Sequence, residues 1–307
     1  METFALRPAI YFGDDALSAL EALAGKRVLI VTDDFLAHKS GLLPRVTAHL
    51  KGALTEVFSK VTPDPSLRLV AEGVRALRDF SPDAVLAFGG GSPMDCAKAM
   101  RHFSDRPGLL FYAVPTTAGT GSEATQFTII TDTERDIKML LKGSVLMPLV
   151  AVADPRFTMT APPGVTASTG LDALCHAVEA YTSRKAQPLS DTFARSAVER
   201  IFRALPAAWE NGADEAARSE MSIAALEAGI AFNNASVTLI HGMSRPIGAL
   251  FHIPHGLSNA MLMKTCLSYA LPGAQARFAE LGRAVGAARE DASDEAAAAC
   301  FLEALSR

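Results

Sequence analysis

The sequence predicts an α/β domain with a mainly parallel sheet, followed by an all-helical domain. Three observations carry that prediction. Short apolar runs alternate with helical patterns through the first half of the chain. After Asp154-Pro155 the alternation stops, and the stretches that follow are rich in Ala, Leu and Glu at helical spacing. With 307 residues there is enough chain for two domains with substantial cores. The boundary is placed near residue 153, giving 1–153 and 154–307.

Strands are expected at residues 9–12, 27–32, 55–61, 84–88 and 109–114, where apolar residues form short runs. Helical spacing between them covers residues 16–23, 43–51, 67–79 and 94–103. Strands separated by helices make βαβ units, and such units stack into a parallel sheet covered on both faces. In the second half, residues 170–182, 189–205, 215–233 and 274–286 read as helices, and the end (290–299) is Ala-rich and acidic.

Composition narrows the function classes. Hydrophobic residues make up 49% and charged residues 20%, the balance of a globular protein. A net charge of −4 and the absence of a Lys/Arg run give no footprint for nucleic acid. No apolar run is long enough to span a bilayer, and the N-terminus lacks the pattern of a signal peptide. Cys96, Cys175, Cys266 and Cys300 are scattered without a CxxC, as expected of a reduced cytoplasmic protein.

Two glycine-rich segments suggest a nucleotide. AVLAFGGGSPMDCAKAM joins a buried-strand pattern to Gly89, Gly90 and Gly91, with a helix opening at Ser92-Pro93. Glycines let the backbone approach a ligand, and a helix N-terminus offers free N–H groups to anionic oxygens. Ser92 is expected as N-cap. An ordinary strand-to-helix turn has the same composition. No GxGxxG follows the first long strand; VLIVTDDFL instead runs into Asp33, an acid placed to meet an adenosine ribose or simply to cap a turn. VPTTAGTGSEAT gathers Thr116, Thr117 and Thr120 after another strand, as the other wall of one cleft.

A second constellation suggests a metal. Asp172 and His176 are four apart in GLDALCHAVEAYTS, so both side chains leave one face of a helix. His241 and His255 sit in HGMSRPIGALFHIPHG, and four of the seven histidines fall between 176 and 255. Three imidazoles and a carboxylate suit a divalent transition metal with a position left for substrate. Any single histidine alone reads more readily as a surface or hydrogen-bonded core residue than as a ligand, and His38, His49 and His102 are read that way.

Taken together, GGGSPMDCAKAM, PTTAGTGSEAT, GLDALCHAVEAYTS and HGMSRPIGALFHIPHGLSNAM resemble the iron-containing (group III) alcohol dehydrogenase family. The resemblance implies a Rossmann-like dinucleotide-binding domain followed by a helical metal-binding domain, a dehydroquinate synthase-like fold. It implies Fe(II) or Zn(II) on Asp172, His176, His241 and His255. The pyrophosphate of NAD (NADP being the alternative) would lie at Gly89, Gly90, Gly91 and Ser92, with Asp95 in the same motif. Thr116, Thr117 and Thr120 would flank the nicotinamide, Asp33 would face the ribose, and Lys138 would contact the cofactor. A small alcohol or aldehyde is the expected substrate and a homodimer the expected assembly.

Two departures from the family pattern stand out. Arg245 occupies the place of a family histidine thought to relay protons, leaving His252 as the substitute or as a rim residue. Family members also continue beyond Arg307, which implies a shortened helical domain. Maleylacetate reductase-like and glycerol dehydrogenase-like enzymes, and a non-catalytic nucleotide-binding homologue, are the rival readings.

Overall fold

The computed structural model describes residues 3–251 and 253–306. The chain forms two compact units, Leu6–Ala161 and the segment from Pro162 onward together with the residues just before Leu6.

In the first unit the strands are β1 (Ala9–Phe12), β2 (Arg27–Asp33), β3 (Leu54–Val61), β4 (Ala84–Gly89), β5 (Leu110–Pro115), β6 (Phe127–Asp132), β7 (Ile137–Lys142) and β8 (Val150–Ala153). Its helices are α1 (Asp34–His38), α2 (Leu43–Thr47), α3 (Leu67–Phe80) and α4 (Gly91–Phe103). Six strands form one sheet in the order β1-β8-β5-β4-β2-β3, with every pair parallel. β2 and β4 are apolar almost throughout because helices cover both faces. Successive residues serve opposite sides. Leu29, Val31, Val85 and Ala87 pack with α3 and α4, while Val28, Ile30, Leu86 and Phe88 pack with Leu17, Leu20 and Val46. α3 buries Val70, Val74, Leu77 and Phe80 at helical spacing, and Ser66 caps it by accepting from the Leu69 amide at 3.2 Å.

Strand order sets up the site. After β2 the chain steps outward to β3, then returns to the opposite side of β2 as β4. That reversal opens a crevice at the carboxyl ends of β2 and β4, the place where open α/β sheets take ligands.

Several segments differ from their sequence pattern. Residues 16–23 form a 3₁₀ rather than an α-helix; Leu17, Leu20 and Leu23 recur every three residues, matching that tighter repeat. α2 stops at Thr47. The four-residue β8 is not among the expected strands, yet it fills the gap between β1 and β5. β6 and β7 pair as an antiparallel hairpin outside the main sheet.

The second unit contains α5 (Pro163–Thr182), α6 (Pro188–Glu210), α7 (Glu215–Ala235), α8 (Leu239–Phe251), α9 (His255–Ala270), α10 (Gln275–Ala284) and α11 (Asp294–Ala304). α5, α6 and α7 pack on one another, α9 packs on α5 and α8, and α10 pairs with α11. Pro163 opens α5, and Asp214 and Ser293 cap α7 and α11. The glycines and proline of α8 and α9 read as breakers in isolation, and packing overrides them. Among the described residues no single helix is long and apolar enough to cross a membrane.

The two His-Gly pairs are not equivalent. A Cβ on Gly256 would stand 2.3 Å from the Ser168 carbonyl oxygen, whereas one on Gly242 meets nothing within 4 Å. Gly256 therefore sets how closely the start of α9 approaches α5. Gly256→Ala is expected to cost about 1–3 kcal/mol, read as a lowered Tm. Gly242→Ala should be neutral or slightly stabilising.

Candidate active site

Asp172 and His176 project one turn apart from α5; His241 lies in the first turn of α8, and His255 is the first residue of α9. Their donor atoms all fall within 4.8 Å of one another. The Nε2 atoms of His241, His255 and His176 stand 3.6, 3.7 and 3.9 Å from Asp172 Oδ1. Those separations are too long for hydrogen bonds. They are close to the edge of about 3.4 Å between two ligand atoms that share a tetrahedral ion at about 2.1 Å. The donor set therefore fits a divalent transition metal. Side-chain exposure is 31% at His255 and 6% or less at the other three, so the site opens on the His255 side.

The electrostatics suit a cation. Burial pushes the Asp172 carboxyl up, but the imidazoles around it outweigh burial and hold it well below the usual carboxylate range. Burial drives His176 down to about 3, so it is neutral with a free lone pair. Its ring stacks between Phe232, at 4.3 Å, and His241, at 4.5 Å between centroids. For His241 burial opposes charge, and the carboxylates of Asp172 and Glu179 beside it prevail, raising it to about 9.

Glu179 is a functional residue that the sequence reading missed. One carboxylate oxygen accepts from the Thr238 amide (3.0 Å), the Thr238 hydroxyl (2.8 Å) and the Ile240 amide (2.7 Å). It thereby caps the N-terminus of α8 from α5. The other oxygen accepts a hydrogen bond from His241 Nδ1. Holding the proton on Nδ1 leaves the Nε2 lone pair for a metal. A signal was present, because Asp172, His176 and Glu179 follow i, i+4, i+7 on one helix face. Asn259, one turn after His255, was missed as well. Its amide nitrogen lies 2.6 Å from Asp172 Oδ1 and 3.1 and 3.2 Å from Nε2 of His241 and His255.

In the first unit, register brings the nucleotide segments together. Val31 pairs with Ala87 and Gly89 with Pro115, so the ends of β2, β4 and β5 are neighbours. Gly89 has φ +148°, and a Cβ there would meet the Pro93 ring at 2.5 Å. α4 opens at Gly91 with Gly90 as N-cap, two positions before the expected N-cap Ser92, and Ser92 lies inside its first turn. The glycine turn and the free amides of α4 fit a pyrophosphate. Thr116 is buried, and Thr117 and Thr120 face Gly90 and Gly91. Asp33 caps α1, accepting from the Leu36 amide at 2.9 Å. The Asp95 carbonyl accepts from the Thr128 hydroxyl at 2.9 Å, and Lys138 pairs with Asp64 at 2.6 Å. His252 lies outside the described residues.

Residues 8–155 match the family described as iron-containing alcohol dehydrogenase, and residues 166–307 match the C-terminal part of that family. The chain belongs to the iron-containing alcohol dehydrogenase family. It is 38% identical over 310 residues to the 1-propanol dehydrogenase PduQ of Salmonella typhimurium, covering 99% of this chain and 84% of that protein. With the NAD-dependent methanol dehydrogenase of Bacillus methanolicus it shares 36% over 328 residues, covering 100% and 86%. The crystal structure of a 1,3-propanediol oxidoreductase superposes with a TM-score of 0.96 at 33% identity, covering 100% of this chain and 86% of that one. Membership implies a nicotinamide dinucleotide and a divalent metal.

Glu179→Gln is a sharp test of this geometry. The amide would turn an N–H toward His241 Nδ1 and force the proton onto Nε2. Metal affinity, measured by competition with a chromophoric chelator, is expected to fall about 10–100-fold with the helices intact by circular dichroism.

Proposed function

We propose that this protein catalyses NAD(H)-linked, metal-dependent interconversion of a small alcohol and its aldehyde, with small hydroxy acids in the same class. The observation that carries the reading is the convergence of three imidazole nitrogens on Asp172 Oδ1. When bound, the dinucleotide supplies the hydride acceptor and the divalent metal supplies Lewis acidity toward the alcohol oxygen.

The chain's own residues have separable tasks. Asp172, His176, His241 and His255 hold Fe(II) or Zn(II); this donor set accepts both, and Zn(II) ordinarily binds more tightly. Glu179 keeps the proton of His241 on Nδ1. Gly89, Gly90, Gly91 and Ser92 take the pyrophosphate at the N-terminus of α4, with Asp95 and Lys138 alongside. Thr116, Thr117 and Thr120 lie toward the nicotinamide. Asp33 hydrogen-bonds the ribose and repels a 2′-phosphate, which favours NAD over NADP. Arg245 is half-buried yet remains a cation, unsuited to shuttling a proton near neutrality, so proton transfer is assigned to His252. The names of the relatives (1-propanol and methanol dehydrogenases) support short primary alcohols as the substrate class. The four unpaired cysteines support a cytoplasmic location, and a homodimer is the assembly we propose.

Chelation of the metal should abolish aldehyde-dependent oxidation of NADH, and Fe(II) or Zn(II) should restore it. Full activity without metal would instead point to a metal-free reductase, and no turnover on any aldehyde with either metal to a non-catalytic homologue. His255→Ala is expected to lower metal affinity and turnover by on the order of a hundredfold or more while NADH binding is retained. Asp33→Ser can still cap α1 but lacks the charge. The preference for NADH over NADPH should drop about tenfold, compared as kcat/KM for the two cofactors.

A further inference from the structure

We propose that Lys98 is a positioning residue for the dinucleotide: its ammonium clamps the segment Ser122–Phe127 to α4 and so holds Thr117 and Thr120 against the pyrophosphate-facing glycines. The inference rests on the nucleotide reading given above.

Lys98 lies two helical turns beyond Gly91 and is 1% exposed. Its Nζ is 2.7 Å from the Ser122 carbonyl, 2.8 Å from the Ser122 hydroxyl, 3.0 Å from the Thr125 carbonyl, 3.1 Å from the Thr125 hydroxyl and 2.8 Å from the Phe127 carbonyl. All five oxygens come from one short stretch directly after PTTAGTG. A buried ammonium is costly unless its protons are accepted, and an apolar side chain would fill the same space without that cost. What the charge adds is direction: it draws three backbone carbonyls onto one point. Asp95, one turn earlier on α4, and Glu123, buried in the clamped segment, face the ammonium; burial pushes both carboxyls up to about 7 and Lys98 down to about 8, each drawn back toward its charged form by the other sign of charge.

The clamp controls two nucleotide-facing pieces at once. Upstream of it, Thr117 and Thr120 stand so close to Gly90 and Gly91 that an added Cβ would lie 3.1 and 3.0 Å from them. Downstream, Phe127 begins β6, whose Thr128 hydroxyl donates to the Asp95 carbonyl of α4. The hairpin that carries Lys138 thus starts at the same anchor. Releasing the segment would widen the crevice and move Lys138 together.

The test is a fluorescence titration of the full chain with NADH, in parallel with steady-state kinetics and metal analysis. Lys98→Met preserves length and removes the charge. Its Kd and KM for NADH should rise about tenfold or more, with kcat at saturating NADH within about threefold and metal content unchanged. General loss of folded enzyme would lower kcat and metal content instead, so the split separates positioning from stability. Thr125→Val keeps the ammonium and deletes one acceptor; a rise in Kd of about two- to fivefold is expected. Unaltered Kd and KM in Lys98→Met would overturn the proposal. So would a Lys98→Met that fails to fold while Thr125→Val and Ser122→Ala bind NADH like the parent chain. A parent chain that binds neither NADH nor NADPH would overturn the nucleotide reading itself, a result visible before any variant is made.

Discussion

The geometry of the candidate metal site depends on one buried carboxylate, that of Glu179. Its two oxygens face different problems and solve both. One satisfies the open amides at the start of α8, which would otherwise be buried without partners. The other accepts the His241 Nδ1 proton and so decides which imidazole nitrogen has a lone pair. Helix placement and ligand tautomer are thus set by the same group. An ionised carboxylate in such a place is tolerable only because every strong donor around it is used.

Charge balance follows from that arrangement. Asp172 and Glu179 are both held below their ordinary carboxylate range in a buried site, and His176 is held neutral. Two carboxylates against the one imidazolium of His241 leave an excess of negative charge for a bound cation to offset. The partly exposed edge at His255 leaves a side from which a substrate oxygen can approach. The same physics recurs with opposite sign at Lys98, where a buried cation is held by oxygens drawn from one loop. In both cases a side chain from one helix fixes a segment distant in sequence: the start of α8 for Glu179 and Ser122–Phe127 for Lys98.

Much of this was legible in the residues. The i, i+4 pair of Asp172 and His176 and the two His-Gly pairs pointed to a metal before any fold was known. The run of glycines after an apolar strand pointed to a nucleotide. Where local pattern failed, the reason was specific. The strand β8 directly precedes the Asp154-Pro155 break with no α-helix between it and the β6–β7 hairpin, and α8 and α9 contain Gly and Pro that read as breakers. Asp33 carried two readings, and the structure shows the capping one, with the Leu36 amide donating to its carboxylate.

The sequence by itself determined the four candidate metal ligands and the shared helix face of Asp172 and His176, because that face depends on spacing within one element. It also determined the parallel α/β class, since buried parallel strands need near-continuous apolar runs. Only the tertiary structure decided which donors meet. Glu179 finds His241 across 62 residues, Asn259 finds Asp172 across 87, and Lys98 finds Ser122 across 24. No local periodicity encodes such distances; they are set by how α5, α8 and α9 pack and by the order in which strands enter the sheet.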